Sequence, residues 1–192
     1  MSETPDVEFV TGAPAARRVA EDPFWSTVVR RHGDVDVVVL PQEDVPVVEV
    51  PADEPVADAE AARERLRADM ASFWGALGLE GDPGRLDDTW YAGAAEGTLR
   101  WEGTATFDDV DPVVASGALD RSREVLAAAP GWNVLAPPGG LPRVLAGRPG
   151  RFVREEVQVV LASSSRVVLR MRSDLVVVGT SAAAEVLRGA VR

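Results

Sequence analysis

The sequence predicts an α+β protein: an antiparallel or mixed sheet with a long C-terminal β-hairpin at about residues 150–178 and helices packed on one face. Three observations carry this expectation. Ala59, Ala62, Leu66, Met70, Phe73 and Leu77 recur at helical spacing, and Gly97 to Phe107 alternate apolar with polar residues. Two β-branched runs, 150–162 and 166–178, face each other across Ser163-Ser164-Ser165.

Taken in order, the first element is a three-turn helix opened by Asp22-Pro23 and closed by Gly33. Asp accepts hydrogen bonds from the free N–H groups of the first turn, Pro starts a helix without losing a needed donor, and Gly ends one. Val35–Leu40 and Val45–Val50 then read as two short strands, each stopped by a proline, with Pro46 and Pro51 confining the second to a sheet edge or to extended backbone outside a sheet. A helix from about Val56 to Leu77 follows. Its polar side offers the pairs Glu60–Arg63, Glu64–Arg67 and Arg65–Asp69.

The acidic, glycine-containing stretch from Leu79 to Asp88 reads as a loop and an internal boundary. It separates a helix-strand-helix segment, residues 1–80, from an α+β sheet segment, residues 81–192, the two forming one compact unit. The strand at 97–107 points Leu99, Trp101, Ala105 and Phe107 to one face, and Thr98, Arg100, Glu102, Thr104 and Thr106 to the other. Asp111-Pro112 opens a second capped helix that runs to about Ala129, with a short strand at Trp132–Leu135 after it. Pro137 to Gly150, rich in proline and glycine, reads as irregular.

Charge selects the register of the C-terminal hairpin. When the numbers of opposed residues total 328, Val153, Val157, Val159 and Leu161 face Leu175, Met171, Leu169 and Val167, while Arg154, Glu156 and Gln158 face Asp174, Arg172 and Arg170. A shift by one residue would mix the faces, and a shift by two would oppose Arg154 to Arg172. Glu155 is the one charge this register sends toward the core side. A short amphipathic helix at about Ser181–Arg188 ends the chain.

Composition narrows the chemistry. All 20 basic residues are arginine, there is no cysteine, and His32 is the single histidine of the 192 residues. A thiolate nucleophile, a Schiff-base lysine, a cysteine metal site and any site needing two histidines are therefore excluded. The missing Lys and Ile have the look of GC-rich coding. A net charge of −11 opposes binding to nucleic acid or to an anionic membrane, since both require a positive footprint. No signal-peptide pattern opens the chain and no apolar run reaches membrane-spanning length, so the expected location is the cytoplasm.

The remaining polar groups have structural explanations. His32 ends a helix, where a cation complements the dipole, and Asp108, Asp109 and Asp111 belong to a helix start and lack the spacing of a calcium loop. No nucleotide-binding glycine motif and no serine elbow is present. The adjacent aromatic pairs Phe24-Trp25, Phe73-Trp74 and Trp90-Tyr91 cannot each point both rings into one narrow core stripe, and Trp, Tyr and Arg dominate interface hot spots. The expected partner-binding residues are thus Trp25, Trp74, Trp90 and Tyr91, with Arg148 and Arg151 from the most basic stretch.

The function expected is that of a non-catalytic cytoplasmic protein-binding protein, an adaptor, secretion accessory or chaperone. It needs no catalytic residue, metal or cofactor, and its partner is another protein, possibly basic. Two alternatives remain: an immunity-type protein that neutralises a basic toxin, and a carboxylate-based enzyme (Glu155, Asp108, Asp109) or small-ligand binding module.

Overall fold

The computed structural model describes residues 12–32 and 48–190. They belong to two units, Met1–Pro46 and Val47–Arg192. In the first, α1 (Gly12–Glu21) precedes α2 (Pro23–Arg31). Asp22 caps α2 as its position demands: its Oδ1 accepts from the backbone N–H groups of Phe24 at 2.9 Å and Trp25 at 3.0 Å. Helix α1 was not expected from its short alanine- and arginine-rich sequence; Val19 is buried. The strand expected at Val35–Leu40 lies outside the described residues, as does Val45–Val47 of the second, whereas Val48–Val50 form no strand.

In the second unit α3 (Ala59–Ala76) starts at Asp58, whose side chain accepts from Ala61 N at 2.8 Å. Its expected intrahelical ion pairs do not form, because Arg63 and Arg67 both reach off the helix to Asp88. Its apolar stripe, including Ala62 and Met70, joins the same buried cluster as the strands. The loop after it, the expected boundary, consequently lies inside the second unit.

Among the described residues the sheet has six strands, all antiparallel, in the order β1-β2-β6-β5-β4-β3. They are β1 (Arg85–Ala92), β2 (Thr98–Phe107), β3 (Asn133–Leu135), β4 (Arg143–Pro149), β5 (Arg154–Ser163) and β6 (Arg166–Val177). Two of them correct the sequence reading. Strand β1 occupies part of the expected acidic loop, since charges at Arg85, Asp87 and Asp88 hide its alternation and its pairing with β2 holds it extended. Strand β4 crosses the stretch expected to be irregular; Pro149 ends it and Pro142 precedes it, so neither interrupts the ladder from within.

Between β2 and β3, α4 (Pro112–Ala128) is capped by Asp111 Oδ1, which accepts from Val113 N at 2.8 Å and Val114 N at 3.2 Å. It buries Ala115, Ala118, Leu119 and Leu126. The last helix, α5 (Thr180–Ala190), adds Ala183 to the same cluster. Among the described residues no helix is long and apolar enough to cross a membrane.

Strands β5 and β6 pair in the expected register from Glu156 opposite Arg172 to Leu161 opposite Val167. Val157, Val159, Val167 and Leu169 are buried accordingly. Beyond Glu156 the expectation fails. Arg100 of β2 lies opposite Leu175 but Glu102 lies opposite Arg172, so Ser173 and Asp174 together stand against Trp101 in a β-bulge. The extra residue reverses which side chains of β6 face inward: Val167 and Leu169 lie in the core cluster before it, Val176 and Val178 after it, and Leu175 is left out. The expected pairs Val153–Leu175 and Arg154–Asp174 are therefore absent. Asp174 instead holds the turn before β5, accepting from Val153 N at 2.8 Å and from its own neighbour Leu175 N at 2.7 Å.

Candidate binding face

Each face of the β1–β2–β6 region carries one carboxylate held by two arginines, and the two pairs differ in what they join. On the face that forms the core, Asp88 accepts from Arg63 Nε at 2.8 Å, from Arg67 NH2 at 2.7 Å and from the indole Nε1 of Trp101 at 2.8 Å. Its side chain is only 4% exposed. Burial alone would push this carboxyl up, but the hydrogen bonds from Arg63, Arg67 and Trp101 outweigh it and hold it well below the usual carboxylate range. Trp101 lies across Gly103, where a Cβ would stand 2.2 Å from the indole and 3.0 Å from Met70 Sδ. The absence of a side chain at Gly103 is what lets the ring reach Asp88.

On the opposite face Glu102, with its side chain 11% exposed, accepts from Arg170 NH2 and from Arg172 Nε, each at 2.5 Å. Here too burial pushes the carboxyl up and the arginines more than reverse it, Arg172 ahead of Arg170. Arg172 also reaches Glu156 at 3.5 Å. Arg100 donates to the backbone carbonyls of Ser173 at 3.0 Å and Arg154 at 2.6 Å, tying β2 to β6 and β5 across the bulge. The Arg154 side chain crosses Gly147, at which any Cβ would meet its Nε at 2.0 Å. Among the described residues the Arg154 guanidinium has no partner. Leu135, Leu145, Arg154, Arg170 and Arg172, with the acidic Glu156 among them, line a depression of about 280 Å³ on this face.

The residues singled out from the sequence are dispersed. Trp25 is 44% exposed and stacks edge-to-face on Phe24 with ring centres 5.0 Å apart, on α2 in the first unit. Trp74 is half-buried against Phe107, and Tyr91 is exposed on β1. Trp90 corrects its assignment: it is 6% exposed within the core cluster, because its position opposite Trp101 turns it to the buried face, and it cannot be an exposed anchor. Arg151 pairs with Glu54, at 2.6 Å between NH1 and Oε1. Arg148 lies 4.9 Å from the centre of the Trp132 ring and pairs with Glu155 through Nε at 2.7 Å and NH2 at 2.6 Å. The charge that the hairpin register left unexplained is thus neutralised by the strand next to it.

Glu155 also borders a cleft of about 390 Å³, with Arg65, Asp69, Trp132 and Ser173 among its walls. Asp108 pairs with Arg166, and Asp111 serves as a cap. Among the described residues no group of acidic residues or His32 is arranged to hold a metal ion.

No protein-family model, curated protein or solved structure matches the chain.

The arginine cluster was half legible. The hairpin register already sets Arg154, Glu156, Arg170 and Arg172 on one face. That Glu102 joins them depends on β2 lying beside β6, a pairing of strands some 70 residues apart in sequence that no local pattern announces.

Proposed function

We propose that the protein is a non-catalytic, cytoplasmic protein-binding protein, an adaptor, secretion accessory or chaperone, and that the outer face of its sheet is the contact surface. The observation that supports this best is the depression ringed by Arg154, Arg170 and Arg172 beside Leu135, which is 60% exposed, and Leu145. Arginine is one of the three residue types enriched at interface hot spots, and the two leucines add apolar area beside it. The face is locally positive on a chain of net charge −11, which fits an acidic partner segment; a basic toxin, as the immunity-type alternative requires, would have to dock elsewhere.

The enzyme alternative would have to work with a Glu155 carboxylate that is paired with Arg148. A small-ligand module retains one supporting observation, the cleft beside Glu155. The test uses the full chain with Arg154→Glu and Leu135→Asp combined, both exposed changes expected to move stability by no more than about 0.5 kcal/mol each. The expected result is loss of a partner that the unaltered protein retains in affinity capture, at an unchanged melting temperature. Equal retention by both would remove the outer face from consideration, and Trp25→Ala in the same assay would then ask whether α2 carries the contact.

A further inference from the structure

We propose that the depression on the outer face receives the C-terminal residue of a partner polypeptide, its carboxylate on the arginines and its apolar side chain against Leu135 and Leu145. This deepens, and rests on, the reading of that face as a binding surface. The charge balance comes first. Glu102 already takes up one donor each of Arg170 and Arg172, and Glu156 lies at 3.5 Å from a second donor of Arg172. Arg154 adds a guanidinium with no partner among the described residues. A guanidinium fork has five N–H donors, so these bonds leave most of the donors in the cluster unused. A carboxylate is the group whose geometry answers planar, paired N–H donors.

Size and lining decide the rest. About 280 Å³ is the lower end of ligand-site volumes and suits one residue better than an extended acidic tract. The lining has no aromatic ring on which a nucleobase would stack, which removes the usual means of holding a single nucleic-acid strand. In an extended chain the side chains of neighbouring residues point to opposite faces, so an internal Asp or Glu followed by Leu presents charge and apolar group on different sides. A terminal residue carries both on one Cα. An internal Asp-X-Leu also puts both on one face, but about 7 Å apart along the strand, whereas the terminal residue holds them within the small depression.

The probe is N-acetyl-L-leucine, titrated into the full chain at pH 7 and low salt while the arginine Nε–H and leucine methyl resonances are followed by NMR. Saturable shifts are expected at Arg154, Arg170, Arg172, Leu135 and Leu145. N-acetyl-L-leucinamide should bind at least about tenfold more weakly, since it lacks the charge. Arg154→Ala should weaken the acid by about fivefold to tenfold with the melting temperature unchanged. The proposal is overturned if no saturable shift occurs up to about 50 mM, if the amide binds as well as the acid, or if acetate binds as well as N-acetylleucine, which would leave the leucines idle. Should the probe fail while Arg154→Glu with Leu135→Asp still releases a captured partner, the surface reading stands and the terminal carboxylate falls. Probe binding together with a partner indifferent to that double variant would leave a small-molecule site and overturn the polypeptide occupant.

Discussion

Asp88 and Glu102 lie on neighbouring antiparallel strands and face opposite sides of the sheet, each held by two arginines, yet their partners come from different places. The arginines of Asp88 belong to α3, an element that would otherwise rest on the sheet by apolar contact alone. Those of Glu102 belong to the adjacent strand β6, already fixed by the backbone ladder. The first pair holds a helix in place around a carboxylate that is itself buried. The second joins two strands that the backbone ladder already fixes and adds little new connectivity. A carboxylate between two arginines thus adds cohesion when it bridges separate elements and little when it bridges strands that the ladder already joins.

Acid challenges both pairs at once and should have the largest effect. Each carboxyl lies below its ordinary value in the folded chain, so in the window beneath that value the unfolded chain binds more protons. Stability should be level above about pH 5 and fall as pH drops through about 4, the ordinary range for Asp and Glu. Denaturant midpoints measured from pH 7 to 3 check this, with Asp88→Asn expected to give a shallower fall; an identical slope would assign the acid sensitivity to other carboxylates.

Asp88→Ala should come next, at about 3 kcal/mol, because it strands the Trp101 indole N–H in the core and leaves Arg63 and Arg67 facing one another. Urea unfolding measures it. A loss no larger than that of an exposed substitution would show that α3 is held by its apolar stripe alone. Gly103→Ala acts on the same contact indirectly, pushing Trp101 away from Asp88, and should cost about 2 kcal/mol by overpacking. Near-UV circular dichroism of the tryptophans should change with it, and an unaltered spectrum would mean that the ring has another place to go. Glu102→Gln should cost the least, about 1 kcal/mol, since Gln keeps an acceptor for the arginines and the ladder already joins β2 to β6. It should also tighten N-acetylleucine binding by removing a competitor for the guanidiniums. Weaker binding would instead mark Glu102 as the group that holds the arginines in position.

The local elements were readable where one segment carries its own signal. Asp22-Pro23 and Asp111-Pro112 mark helix starts because a cap is a bond between residues two or three apart. The 328 register of the hairpin followed from charges and β-branched residues on two strands joined by a tight turn. Strands β1 and β4 escaped notice for a related reason: their own sequences are charged or bracketed by prolines, and it is pairing with β2 and β5 that makes them strands. The candidate face divides along the same line. Arg154, Arg170 and Arg172 can be placed together from the hairpin, whereas the burial of Trp90 follows only from its position opposite Trp101.

What the sequence determined alone, then, is the α+β class, the caps and the inner register of β5 with β6, all consequences of interactions between near neighbours or across one turn. What only the tertiary structure decided is which strand lies beside which, where the bulge at Ser173 and Asp174 reverses the facing of β6, and which arginines Asp88 and Glu102 take. Those choices bring together residues distant in the chain, and the free energy that selects them comes from packing and charge burial in the assembled sheet.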